Sequence, residues 1–385
     1  MTKKYSGKRI IKAGEQLLDG SLIEKDPEAF YEAADILSYW RFSHEVSLEK
    51  AFVLIQETSL KHDKKAIFAK RLKRMVSIVR KLKRFQKMKL KNMQDIGGCR
   101  IILTNEKRLR KVLRDLRKSP EFRLEKGFRA KDYIETPKDD GYRGYHLIGK
   151  FKDADDQIKS IEIQLRTQIQ HYWATALEIV DLFTGQALKS NLGDKQWKDF
   201  FLNVSQQFAV MEAIHLFENL EFEEKFQKYN ENLNGQKNEL LSCERVQKYS
   251  NSLKVVEMFD AFAGSLKVVD TKLSELEATE YGYVLLEIDI PNSNVSTSFF
   301  PNNEPQNAEV AYISSEKKAA GNDGMVVALV STSAVGDIKE AYPNYFADST
   351  AFLNHLVLIQ TIPGTRKKKL LEKMFSLNAI GDLRY

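Results

Sequence analysis

The sequence predicts an α+β fold: a mixed β-sheet flanked by helices, then a helical connector and a smaller C-terminal α+β domain. Two observations carry this. Around residues 161–166 the chain alternates, with Ile161, Ile163 and Leu165 toward a core and Glu162, Gln164 and Arg166 away from it, the period of a half-buried strand. The order of elements is helices, a strand, a helix, then three strands, which suits a sheet with helices on one side.

The elements follow in order. Residues 1–25 are basic and polar and read as a short strand or arm. From Pro27 to about Thr58, Phe30, Ala33, Ala34, Leu37 and Trp40 recur at helical spacing, with Asp26 as N-cap and Pro27 in the first turn. A helix is expected from about Lys64 to Phe85, with Met75, Ile78, Val79 and Leu82 on one side and Lys73, Ser77, Arg80, Lys81 and Arg84 opposite. Arg71 lies off that arc. Asp95 to Leu103 reads as a loop feeding a strand, its two glycines allowing a sharp turn. A helix over 106–118 returns, and 122–134 is strand or extended loop. Pro137 and Gly141 punctuate a turn before a strand on which Tyr142, Gly144 and His146 share one face. Helices follow over 168–180, 194–229 and 236–273. Strands are expected at 283–290, 308–314 and 325–331, and helices at 334–342, 350–356 and 366–375.

Composition narrows the function. The chain has 385 residues, 43% hydrophobic and 29% charged, as in an ordinary globular protein. No apolar run approaches membrane-spanning length and the N-terminus is polar, so a cytoplasmic location without membrane attachment is expected. The two cysteines, Cys99 and Cys243, are too far apart in sequence for a disulfide scaffold or a cysteine-rich zinc site. Net charge is only +7, but fourteen lysines and arginines lie between Lys61 and Lys91 against the single acid Asp63. That imbalance points to a phosphate-rich partner, nucleotide or RNA.

Neither phosphate-cradling glycine motif is present. Instead Asp95 and Glu162 stand among many cations and a Tyr-His strand. Mg²⁺ commonly takes one or two carboxylates together with substrate phosphates, cations neutralise a transferring phosphoryl group, and a ring can stack on a base. These residues describe a metal-dependent phosphoryl or pyrophosphoryl transferase. Tyr133 and Tyr145 read as core rings, His171 and Trp173 as structural.

Lys131-Asp132-Tyr133-Ile134, Pro137-Lys138, Gly141-Tyr142, His146 and Glu162-Ile163-Gln164-Leu165-Arg166-Thr167 resemble the synthetase domain of the RelA/SpoT alarmone synthetases. Arg71, Lys73, Ser77 and Lys81, then Asp95 and Arg100, match that family's upstream motifs in order. The resemblance covers about residues 30–215. It implies that Arg71, Lys73, Ser77, Lys81 and Arg100 bind ATP and that Asp95 and Glu162 hold Mg²⁺, Glu162 also activating the acceptor hydroxyl. It places Tyr142 against the acceptor base, with Lys138, His146, Gln164 and Arg166 lining the acceptor site. The family moves the β,γ-pyrophosphate of ATP to a ribose 3′-hydroxyl. Two departures stand out. His62-Asp63 is similar to the metal dyad of the family's hydrolase domain, but the rest of that domain is missing, so the pair reads as solvated and no hydrolysis is expected. Asp140 stands where alarmone makers have Asn, and its charge would repel a guanosine polyphosphate.

The C-terminal region resembles that of the fused toxin-antitoxin members of the toxic small alarmone synthetases, the CapRel type. This implies a synthetase domain over 1–230, a helical connector over 231–274 and a regulatory domain over 275–385. Tyr342 and Tyr345 would block the ATP site until a phage protein binds, and removal of 275–385 is expected to raise toxicity. The implied acceptor is the 3′ end of tRNA; the alternative is a small alarmone synthetase acting on guanine or adenine nucleotides.

Overall fold

The computed structural model describes residues 4–123, 127, 129–184, 188, 193–256, 259, 282–289, 294–301, 304–319, 325–332 and 350–364. They belong to two units, each discontinuous in sequence: Met1–Asp132 with Gly144–Arg166 and Ser265–Ala347, and Tyr133–Arg143 with Thr167–Gly264 and Asp348–Tyr385.

The first unit opens on helices rather than the expected arm or strand. In α1 (Gly7–Gln16) Ser6 caps the first turn, accepting from the Arg9 N–H at 3.4 Å. Ile10, Ala13 and Leu17 are buried at helical spacing, a stripe that intervening lysines hid. A short α2 (Leu22–Lys25) leads to α3 (Pro27–Phe42), where Asp26 accepts from the Ala29 N–H at 3.0 Å as its position predicts. α4 (Glu45–Leu60) follows.

The single helix expected over 64–85 is instead a strand and a helix, β1 (Ile67–Leu72) and α5 (Met75–Arg84). β1 pairs antiparallel with β2 (Gly97–Leu103), Ile67 opposite Ile102 and Arg71 opposite Gly98. Pairing with a neighbouring strand overrides the weak preference of Lys and Arg for helix. Lysines also suit an edge strand: Lys70 is bonded to Glu49 and lies 4.9 Å from the Phe52 ring centre. On α5, Met75, Ile78 and Leu82 are buried in a core shared with Ile10, Ala13, Leu37 and Trp40, which directs Ser77 and Lys81 to the other side.

After α6 (Glu106–Leu116), the strands β3 (Ala130–Asp132), β4 (Tyr145–Lys152) and β5 (Ile158–Thr167) complete a sheet of order β1-β2-β5-β4-β3. The pairs β1–β2, β3–β4 and β4–β5 are antiparallel. Ile161, Ile163 and Leu165 are fully buried with Tyr145 and Leu147. The opposite face carries His146, Glu162 and Gln164, His146 lying directly across from Gln164. β4 starts only at Tyr145, so Tyr142 and Gly144 precede the strand instead of sharing its face with His146. Gly141, at φ +89°, turns the chain there in a region that disfavours side chains.

The same unit holds an antiparallel sheet of order β7-β6-β8, formed by β6 (Gly282–Asp289), β7 (Asn294–Pro301) and β8 (Met325–Thr332). The expected strand at 308–314 lies instead within α11 (Pro305–Ala319). Ala308, Tyr312, Ser315, Glu316 and Ala319 form its buried face, a helical period in a stretch rich in strand-favouring residues. Tyr312 and Ala319 pack with Leu285 and Val327, and Phe42 of α3 covers this small core.

The second unit is helical: α7 (Gln168–Thr184), α8 (Lys195–Ala213), α9 (Phe222–Asn232), α10 (Lys237–Ser252) and α12 (350–364). It also contains the 133–143 loop, pinned where Ser205 donates to the Gly141 carbonyl at 2.5 Å. Trp173 is buried and donates to the Phe201 carbonyl at 2.8 Å, and His171 is buried too, both structural as expected. The expected helix over 194–229 is interrupted at Leu216, whose φ is +53°. The expected helices at 334–342 and 366–375, and Tyr342 and Tyr345 with them, lie outside the described residues. Among the described residues no helix is long and apolar enough to cross a membrane.

Candidate active site

The sheet face of the first unit gathers most of the expected residues. Asp95, in the loop before β2, accepts through Oδ2 from Lys73 at 3.0 Å and from Lys81 at 2.7 Å. Lys73 is placed by the end of β1, its N–H bonded to the Ile96 carbonyl at 2.7 Å. Lys81 reaches the same carboxylate from α5. Burial lowers the Lys73 pKa, Asp95 opposes this, and the charges of Lys81 and Arg71 push it further down. Arg71 is thus part of the cationic wall although it comes from β1 rather than from the helix.

Glu162 is the second acid. It receives His146 Nδ1 at 3.1 Å and Gln164 Nε2 at 2.8 Å. Burial alone would raise its pKa, but the hydrogen bond and charge of His146, the Gln164 amide and the charge of Lys73 hold it down at about 2. Lys73 therefore acts on both acids, bonded to one and electrostatically coupled to the other. Arg100 and Arg166 are buried on β2 and β5, and Ser77 is half-buried on α5.

The second unit holds Lys138 and Tyr142. The Lys138 ammonium lies 4.6 Å from the Tyr142 ring centre and 4.7 Å from that of Tyr133, and the two rings meet edge-on at 5.8 Å. Tyr133, expected in the core, is half-buried beside Lys138, while Tyr145 is a core ring as expected, its hydroxyl bonded by Arg117. Only the adjacent Tyr133-x₄-Lys138-x₃-Tyr142 spacing could have signalled this pair of rings around a cation. The His62-Asp63 pair is not solvated: Asp63 is fully buried and accepts from the Thr104 and Lys65 N–H groups and from Arg108.

The residues present fit magnesium. Among the described residues no group of three or more His, Cys, Asp or Glu forms a metal cage, yet Asp95 Oδ1 is buried with no hydrogen-bond partner among them. Two hard carboxylates beside cations match an ion that takes its remaining ligands from phosphates and water.

Paired acids and a cationic wall on a sheet are what a nucleotide-phosphate transferase needs. Residues 70–179 match the family profile described as "Region found in RelA / SpoT proteins". The chain is 32% identical over 150 residues to the GTP pyrophosphokinase YwaC of Bacillus subtilis (strain 168), spanning 36% of this chain and 70% of that protein. To YjbM, a GTP pyrophosphokinase of the same organism, it is 31% identical over 110 residues, 27% of this chain and 51% of the other. Among solved structures, small alarmone synthetase 1 of Bacillus subtilis bound to its product pppGpp aligns at 22% identity and a TM-score of 0.39, covering 45% of this chain and 92% of that one. The chain belongs to the RelA/SpoT family and is a pyrophosphokinase.

Proposed function

We propose that the chain moves the β,γ-pyrophosphate of ATP to a ribose 3′-hydroxyl, favouring the 3′ end of tRNA as acceptor. The carrying observation is the Lys73–Asp95–Lys81 cluster with its electrostatic link to Glu162. Arg71, Lys73, Ser77, Lys81 and Arg100 bind the triphosphate and adenine. Asp95 and Glu162 would hold Mg²⁺, which supplies charge neutralisation on the phosphates when bound. The acceptor oxygen attacks the β-phosphorus, the bond to the α-phosphate oxygen breaks and AMP leaves. The hydroxyl proton goes to Glu162. With His146 and Gln164 both donating to it, Glu162 is a weak base in the nucleotide-free chain. Engagement of His146 by the acceptor would release the carboxylate and strengthen it. Tyr142 stacks on the acceptor base with Lys138 beside it, and Gln164 and Arg166 also bind the acceptor.

Asp140 supports the tRNA reading. Its Oδ1 accepts from the Tyr142 N–H at 2.9 Å, a bond the amide oxygen of Asn makes equally well. The turn therefore does not need the charge, which remains as repulsion toward a polyphosphate acceptor. The second reading, a small alarmone synthetase using guanine or adenine nucleotides, is favoured by the relatives named GTP pyrophosphokinases. Incubation with ATP labelled on the β-phosphate separates them. Label in tRNA supports the first; label in GDP or GTP with bare tRNA overturns it.

We further propose that residues 275–385 regulate the enzyme as in the CapRel type, Tyr342 and Tyr345 shielding the ATP site until a phage protein binds. Replacing both tyrosines by Ala should raise toxicity in a host cell without any trigger; unchanged growth would end the idea.

A further inference from the structure

The backbone that opens α5 is held by a side chain 241 residues further along the chain. The Met75 N–H, one of the helix's orphan amides, donates to Glu316 Oε1 at 3.0 Å. The residue in the local capping position is Arg74, whose side chain makes no such bond. Glu316 of α11 thus satisfies the first of the amides that capping side chains serve. Its other oxygen receives Arg41 Nη1 of α3 at 2.5 Å. Tyr312, one turn earlier on α11, receives Arg41 Nη2 at 2.6 Å and donates to Glu316 Oε1 at 2.8 Å. Arg41, Tyr312 and Glu316 are 1%, 3% and 3% exposed.

We propose that Glu316 is a positioning residue for the nucleotide. Docked on α3, it fixes the first turn of α5 and with it Ser77 in that turn and Lys81 in the next. The proposal rests on the reading of those two residues as ATP ligands. Docking of α11 is close to all-or-none, because neither Arg41 nor Glu316 can stay buried without the other. A carboxylate also complements the positive end of the helix. Deleting 275–385 would remove this support together with any inhibitory segment. The gain in toxicity expected of that deletion therefore belongs to the tyrosine substitutions instead.

The test compares the full chain with the double variant Arg41→Gln, Glu316→Gln and with the triple variant Arg41→Met, Tyr312→Phe, Glu316→Leu. In the double variant the amide oxygen at position 316 can still accept from Met75 and no lone charge stays buried; the triple variant removes the polar cluster as a whole while keeping the core filled. Hydrogen exchange of residues 75–81 and affinity for a nonhydrolysable ATP analogue are measured, with circular dichroism as the check on folding. In the triple variant exchange should quicken and affinity fall, each by about fivefold, the loss expected of a helix cap. The double variant should keep most of both. A folded triple variant that exchanges and binds like the parent overturns the proposal. So does faster exchange with unchanged affinity, since Glu316 would then be structural only. If the triple variant does not fold, Arg41→Met with Glu316→Met gives the same comparison. Neither readout needs turnover, so a failure of the transfer reading is told apart from a failure of this one.

Discussion

At Glu162 burial and hydrogen bonding pull in opposite directions, and the bonds from His146 and Gln164 prevail. With a folded value of about 2 against an ordinary 4.5, its ionisation stabilises the fold above about pH 4.5, and that contribution is lost as pH falls toward 2. Its charge is constant between pH 5 and 8. Glu162→Gln should lower kcat/KM about 10²- to 10⁴-fold with the circular dichroism unchanged. His146→Gln should move the acid limb of the pH–rate profile to higher pH, because the largest contact holding the carboxyl down is gone. His44 works the other way round. Burial, helped by Lys159, lowers its pKa to about 4 despite the bond to the Trp40 carbonyl. That stability is fully present above about pH 6.5 and lost as pH falls to about 4, a change of about 3 kcal/mol. A His44→Gln variant should lose this slope in thermal melts run across that range. Both acids of the candidate site were legible in the sequence, because alternation puts Glu162 on the polar face and Asp95 opens a strand. The link that Lys73 makes between them was not, since it depends on which strands are neighbours.

Asp63 shows how a residue can be misread from a missing motif. Without the rest of a hydrolase domain it reads as solvated, yet it is the acceptor that ties the start of β1 to the β2–α6 turn. It takes the Thr104 N–H and hydroxyl at 2.8 Å each and Arg108 at 2.6 Å. Asp63→Ala should cost about 2–4 kcal/mol, read as a lower denaturation midpoint, because buried donors lose their partner. The division of residues 64–85 into β1 and α5 was hidden for a related reason. Met75, Ile78 and Leu82 do follow a helical period, but nothing local marks where pairing with β2 stops. The same holds for α11, whose buried face is helical while its composition favours a strand. Helix starts were easier: Asp26 and Pro27 announce α3 because capping is a local interaction.

Over the whole molecule, the basic run is only partly committed. Lys73 and Lys81 face Asp95, Lys70 faces Glu49 and Lys89 faces Glu15, while Lys83, Arg84 and Lys87 are exposed. If these three meet tRNA phosphates, charge reversal of all three should flatten the slope of log affinity against log salt by about 2–3. An unchanged slope in filter binding would place the RNA elsewhere. The mixture of sheet and helices was readable from periodicity, but the interleaving of distant segments in each unit was not, because sequence order carries no information on which helix docks where. One consequence of the Lys73 bridge reaches beyond catalysis. An acidic pair already neutralised by its own ammonium groups has little reason to collect a free divalent ion. The metal should arrive as the counter-ion of the triphosphate, so a chelator added to the nucleotide-free protein should leave its melting temperature where it was.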